Sequence, residues 1–216
     1  MTLARLYLYF IITAFIGYIY ECIAMTLWSG KWENRGYMLG PTIPIYGVGC
    51  LLGYMAFGNL IRNYTPLTVF LIGFVISAVL EYPTSLILEK VFHTRWWDYS
   101  IGPLNIEGRV SLLSSLGFGI GAVLIVYVLN PLLIPLVMKV PQNIAHWLSI
   151  IIAVIFVTDF FAAAYCTLHK ITPGFITRYN DIMSRAVRQI NPQEKSLYRF
   201  LKKHTNWFKK MIICNY

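Results

Sequence analysis

Charge is what this chain has least of. Only 12% of its 216 residues are Asp, Glu, Lys or Arg, about half the share found in soluble domains. Together with 57% apolar residues and a mean hydropathy of +0.61, that scarcity excludes a water-soluble globular protein and indicates an integral membrane protein. Cysteine is scarce as well. Cys22, Cys50, Cys166 and Cys214 are scattered, with no C-x-x-C pair, which removes a disulfide framework and a metal knuckle. His93, His146, His169 and His204 lack ligand spacing, so neither a metal nor a cofactor is expected. The sequence has no G-x-x-x-x-G-K-S/T run and no Ser/His/Asp arrangement; the chain cannot draw on ATP by itself. An uncleaved first span is expected, because Glu21 interrupts the first apolar run and no clear small-residue cleavage site follows.

What the chain does have is long apolar runs. Five are long enough to cross a hydrocarbon core, which takes about 20 residues in a helix: residues 4–28, 39–61, 66–88, 110–130 and 144–169. The expected fold is an all-α integral membrane protein with five transmembrane helices, a membrane domain over residues 1–169 and a basic tail over 170–216. The formal net charge of +9 invites a nucleic-acid reading, but the positions of the 18 basic residues argue against it. Ten of them follow His169. With that tail in the cytoplasm, an odd number of spans puts the N-terminus outside. The inner loops then add Lys31, Arg35, Lys90, Arg95 and Arg109, leaving only Arg5, Arg62 and Lys139 outside. This is the positive-inside pattern of a multi-pass protein of the cell inner membrane. The tail begins at Pro173-Gly174 and is expected to be helical. From Pro192 onward, Leu197, Phe200, Leu201, Trp207, Phe208, Met211 and Ile212 fall near one face and lysines and arginines fill the rest. That is the pattern of an amphipathic helix on an anionic leaflet, although a solvated regulatory tail reads equally well.

The few acids are placed unevenly. Glu21, Glu81 and Asp159 interrupt the first, third and fifth runs, each expected in the inner half of its span. An unpartnered carboxylate at such depth is costly, so it faces the bundle interior or carries a proton. Two polar segments connect the spans on the inner side. Residues 29–41 are rich in Gly and Pro and are expected to be irregular, with the start of the second span broken or tightly packed around Pro44, Gly47, Gly49 and Gly53. Residues 95–109, Arg-Trp-Trp-Asp-Tyr-Ser-Ile-Gly-Pro-Leu-Asn-Ile-Glu-Gly-Arg, form the second segment. The two match weakly: Lys31-Trp32 with Arg95-Trp96, Gly40-Pro41 with Gly102-Pro103, and Ile45-x-Gly47-x-x-x-Leu51-Leu52 with Ile106-x-Gly108-x-x-x-Leu112-Leu113. Spans 1–2 and 3–4 would then be a parallel two-helix repeat about an axis along the membrane normal.

On this topology Asn34, Arg35, Arg95, Trp97, Asp98, Glu107 and Arg109 lie just below the three acids. Clustered carboxylates suit a cation or a titrating proton, and the arginines suit an anionic head group. The plainer alternative is ion pairing that fixes helix register, Glu21 with Arg35 or Arg109 and Glu81 with Arg95. Trp32, Trp96 and Trp97, with Tyr37 and Tyr99, fit the head-group belt better than an aromatic cage.

Glu21 with Lys31-Trp-x-Asn-Arg-Gly36, Gly40-Pro41 and Ile45-Tyr46-Gly47, then Leu80-Glu81-Tyr82, Arg95 to Ser100 and Asn105-Ile106-x-Gly108-Arg109, resemble the two signatures of the bacterial ABC-transporter type IV, or CmpB-like, membrane proteins. The resemblance covers about residues 10–130. It implies transport and a separate ATPase subunit. The leading expectation is a small permease-type protein with a cytoplasm-facing polar cavity, in which Glu21, Glu81 and Asp159 bind an ion or small molecule and Arg109 is the counter-charge. The rival is an intramembrane enzyme or binding protein for a lipid or isoprenoid phosphate, with Glu81 or Asp98 as base and Arg35, Arg95 and Arg109 on the phosphate. A regulatory membrane subunit is the third reading, and a homo-oligomer is compatible with each.

Overall fold

The computed structural model describes residues 1–57, 64–93, 95–100 and 104–190. Helices dominate: α1 (Leu3–Ser29), α2 (Pro44–Phe57), α3 (Pro66–Phe92), α4 (Leu112–Lys139), α5 (Gln142–Leu168) and α6 (Gly174–Ile190). Four of them, α1, α3, α4 and α5, are long and apolar enough to cross a membrane. α2 is apolar but only 14 residues long, about 21 Å at the helical rise; the rest of the expected second span, from residue 58, lies outside the described residues. The chain is an all-α multi-pass membrane protein, with a two-stranded hairpin, β1 (Asn105–Ile106) and β2 (Val110–Ser111), that composition did not announce.

By its internal packing the chain divides into two compact units, one formed by Met1–Leu51 with the described residues from Pro135 on, the other by Leu52–Ile134. In the first, α1 ends at Gly30, whose φ of 74° takes the left-handed conformation that glycine adopts at low cost and whose N–H caps Thr26 O. The chain then turns and runs back along α1 without forming a helix. Glu33 N–H donates to Thr26 Oγ1, Arg35 N–H to Cys22 Sγ, and Ile43 N–H to Ala14 O. By Ile43 it has climbed to the middle of α1, and α2 starts only there. The second helix therefore starts at Pro44, five residues after the start of the expected run, with residues 31–43 irregular before it. Close contact is made by glycine on both helices, since a Cβ on Gly47 would sit 2.6 Å from the Phe10 ring and one on Gly17 would enter the Tyr46 ring. At the other end of α1, Arg5 Nη2 donates to Val140 O at 2.8 Å, holding the turn before α5.

In the second unit α3 and α4 are the main pair. Thr65 caps α3 by accepting from Thr68 N–H, with Pro66 in the first turn. Pro83 sits inside α3, where it removes one N–H, yet the helix continues to Phe92. Ser111 and Ser114 form a reciprocal capping box that starts α4. The fourth run, expected to end at residue 130, instead continues as helix through Asn130-Pro131, and α4 runs to Lys139. A π turn at Ile125–Leu129 precedes Pro131, with Asn130 N–H reaching back to Ile125 O. The wider turn relieves the clash of a proline ring with the carbonyl four residues earlier, so the helix is not broken.

Candidate functional site

In the second unit α4 begins beside the middle of α3, and the hairpin closes the space beneath. The turn from Ile106 to Arg109 is shut by Arg109 N–H donating to Ile106 O at 2.9 Å. Its central residues, Glu107 and Gly108, have φ of 52° and 70°. Gly108 is needed twice over, because a Cβ there would also press on the Asp98 carboxylate. The segment before the hairpin is sewn to it: Tyr99 N–H donates to Gly108 O at 2.7 Å, Trp97 Nε1 to Arg109 O at 2.9 Å and Arg95 Nη1 to Glu107 O at 3.2 Å.

One face of α3 carries Ser77, Glu81 and Ser85, all buried, and Glu89 one turn further on. The spacing of four residues stacks them in a row. At the lower end of that row is an ion-pair network. Arg109, 6% exposed, reaches Glu89 Oε2 with Nη2 at 2.6 Å and lies 3.5 Å from Glu107 Oε2. Its Nη1 donates to Ser85 Oγ at 3.3 Å. Arg95 takes the other oxygen of Glu89 at 3.0 Å. Tyr82 O–H donates to Glu107 at 2.9 Å, and its ring lies under the Arg109 guanidinium. Burial opposes the charge of Arg109, but Glu89 and then Glu107 outweigh it and hold the guanidinium protonated beyond the usual arginine range. Two arginines thus meet two glutamates, and the network is neutral.

Glu81 stands above that network and outside it. It is 3% exposed and near the midpoint of α3, deeper than the sequence suggests because the helix extends to Phe92. Tyr99 O–H donates to Oε1 at 3.2 Å and Ser114 O–H to Oε2 at 3.2 Å. No ion pair reaches Glu81 among the described residues. The expected Glu81–Arg95 pair is not formed, since Arg95 turns to Glu89.

The first unit treats its acids differently. Glu21 pairs with Arg35 at 3.3 Å, as the plainer sequence reading has it. Asp159 accepts Leu39 N–H at 3.2 Å and Gly40 N–H at 3.0 Å, fixing the turn before Pro41. Asn34 accepts from Tyr18 O–H at 2.9 Å. Asp98 caps the N–H of Ser100 at 2.9 Å in its own turn. Among the expected site residues, Glu81, Arg95, Trp97, Asp98, Glu107 and Arg109 therefore gather in one unit, while Glu21, Asn34, Arg35 and Asp159 gather in the other. Sequence reasoning missed Ser85, Glu89 and Ser114 as members. The four-residue periodicity of Ser77, Glu81, Ser85 and Glu89 was the available signal.

No curated protein and no solved structure matches the chain. A model of the family described as "Putative ABC-transporter type IV" matches residues 8–164. That match takes in well over half of the sequence, all of α1 to α4 from residue 8 onward and most of α5: the chain belongs to this family.

Proposed function

We propose that this protein takes part in membrane transport through a proton- or cation-binding site centred on Glu81, with a polar cavity opening toward the cytoplasm. The observation that carries the proposal is the state of Glu81, a buried carboxyl mid-way along a membrane span, held by two hydroxyl donors and by no base among the described residues. A lone carboxylate at that depth is costly unless it takes up a proton or a cation. The other acids within the spans are engaged in local structure: Glu21 with Arg35, Glu89 with Arg95 and Arg109, Asp159 with two backbone N–H groups. Irregular backbone is tolerated at membrane depth when it is buried or lines a water-filled cavity. Segments 31–43 and 104–111 fit that rule, because each leads into a helix that begins beside the middle of its predecessor.

A parallel repeat of α1–α2 and α3–α4 belongs to the same reading. Phe10, Thr13, Gly17 and Glu21 recur as Phe70, Gly73, Ser77 and Glu81, four positions of one helical face at a constant offset. Phe10 packs over Gly47 and Phe70 over Gly119, each on the following helix, so Gly47 answers to Gly119 and not to Gly108, which lies in the hairpin turn. Broken helices at a repeat interface are the common setting of transporter sites. A cytoplasmic C-terminus follows from the basic residues of the tail. A separate ATPase would power the cycle if the family description holds, because this chain has no nucleotide-binding run of its own.

The alternative, an enzyme or binding protein for a lipid phosphate, requires Arg35, Arg95 or Arg109 to be available to an anion. All three are engaged by glutamates. The test is to reconstitute the full chain in vesicles and follow proton and monovalent-cation flux with entrapped dyes, alongside infrared difference spectra of carboxyl groups. Glu81→Gln should remove both the flux and the carboxyl band that responds to pH or cation. A Glu81→Gln protein with unchanged flux and spectrum overturns the proposal.

A further inference from the structure

α6 follows the last span after a link of five residues, 169–173, so it begins close to where α5 leaves the membrane. Its sequence, GFITRYNDIMSRAVRQI, is strongly two-faced. One part of its apolar side is docked on the first unit. Trp32 Nε1 donates to Asn180 Oδ1 at 3.2 Å, the Trp32 and Tyr179 rings meet edge to face at 5.8 Å, and the Tyr179 hydroxyl is 3.4 Å from that of Tyr18. Ile176, Met183 and Val187 lie on the same side and are partly covered.

The rest of the apolar side is bare. Phe175 is 60% exposed and Ile182 58%, with Ile171 half exposed just before the helix. At 100° per residue Phe175 and Ile182 fall within about 20° of each other, and Arg178 and Arg185 lie together beyond them, on the side away from the docked residues. Around the helix the order is therefore docked face, bare apolar strip, arginines. Lys170 and Arg188 add positive charge and Asp181 is the one acid of the helix.

We propose that α6 is an interfacial helix that binds anionic lipid: Phe175 and Ile182 enter the leaflet on the side where α5 ends, and Arg178 and Arg185 hold its anionic head groups. Three observations favour a lipid surface over a protein occupant. The bare strip follows a membrane span closely in sequence, it is narrow, and it is bordered by arginines, which suit anionic head groups. Because Tyr179 and Asn180 hold Tyr18 and Trp32, the lipid-bound helix would also clamp the start of segment 31–43 against the second half of α1. This proposal does not depend on the transport reading.

The test uses the full chain in vesicles, with the native cysteines replaced by serine and a spin label at one introduced cysteine. Ile182→Cys should give a ratio of oxygen to nickel-chelate accessibility several-fold above that of Asp181→Cys in phosphatidylglycerol vesicles. That ratio should fall in phosphatidylcholine vesicles, and in phosphatidylglycerol when Arg178→Gln and Arg185→Gln are added. A label at 182 as water-accessible as at 181 overturns the proposal. So does exclusion of both reagents, which would mean a protein partner or a second copy covers the strip. Lipid immersion of equal depth in both vesicle types overturns the head-group part and leaves a purely apolar anchor. The Asp181→Cys protein doubles as a fold control, since its label lies off the apolar strip.

Discussion

The Tyr99 hydroxyl donates to Glu81 Oε1 across 3.2 Å, so a residue of the segment before the hairpin reaches an acid half-way along α3. The same segment is bound to the hairpin by the backbone bond from Tyr99 to Gly108. Any movement of the hairpin therefore changes what Glu81 can hold. Tyr99→Phe removes one of its two hydroxyl donors and leaves the ring in place. Proton or cation flux should drop several-fold while the detergent-solubilised protein keeps its melting temperature within a few degrees. Ser114→Ala should act in the same direction but also lower stability, because Ser114 belongs to the capping box of α4; losing a cap costs about 1 kcal/mol. Equal flux for wild type and Tyr99→Phe would mean that the contact is structural only.

Arg109 and Glu89 should behave as one unit. Removing either leaves the other buried or crowded by like charge, so Arg109→Gln and Glu89→Gln should each lower the melting temperature clearly. The double substitution should cost less than the two effects added, which thermal unfolding of all four proteins would reveal. The sign of the pH response follows from the raised titration point of Arg109. Its contribution is fully present below the ordinary arginine value and is lost only as pH rises through the higher folded one. Moderate alkalinisation should thus leave the Arg109 contribution intact. Arg109→Lys should not restore stability, since an ammonium cannot serve Glu89, Glu107 and Ser85 at once.

The spans were legible in the sequence because membrane helices are fixed by run length and apolar content, and α1, α3 and α5 start and end within a few residues of their expected bounds. Proline misled at the end of α4: Pro131 reads as a break, but a π turn is a tertiary accommodation that composition does not signal. The Gly- and Pro-rich stretch before α2 reads as irregular, and it is. That it runs back along α1 to Ala14 is invisible, because unpaired backbone follows side-chain partners that have no sequence period. The site was half legible. Residue types and depth singled out Glu81 and Arg109, whereas which acid takes which arginine is decided by hairpin geometry, and the hairpin delivers Arg109 to Glu89. Clustering of the tail residues from Pro192 on one face is a sequence pattern that falls outside the described residues.

Asp159 offers a sharp contrast with Glu81. Asp159→Ala leaves the half-buried Leu39 N–H and Gly40 N–H without this acceptor, a loss of about 1 kcal/mol, the low end of the range for buried donors. The turn before Pro41 should loosen, giving faster limited proteolysis within residues 30–43 and a lower melting temperature. Asp159→Asn keeps one acceptor oxygen and should be milder, and Glu21→Gln milder still, with the Arg35 contact weakened but not lost. Flux per folded molecule should survive in all three. If Asp159→Asn abolishes flux at unchanged stability, Asp159 joins Glu81 as a binding group.

α3 and α4 approach closely at Gly119, where a Cβ would come within 2.7 Å of the Phe70 ring, and at Gly73, where one would run into the Ala122 side chain. Gly119→Ala must push the ring or the helix aside, and overpacking of this kind costs about 1–3 kcal/mol. The two shortest contacts are with the ring and the next, at 3.1 Å, is with Phe70 O, so most of the cost should be reversible. Phe70→Leu alone opens a cavity and is destabilising, but added to Gly119→Ala it makes room for the methyl, and the double protein should be more stable than the sum of the two losses predicts. At Gly47 in the first unit the same exchange should compensate less, because a Cβ there would also come within 2.8 Å of Phe10 O, which Phe10→Leu leaves in place. Full compensation at Gly119 with little at Gly47 would mean that the ring limits the first contact and the backbone the second. Full compensation at both would mean that the Phe10 carbonyl gives way and the ring is the limit in each.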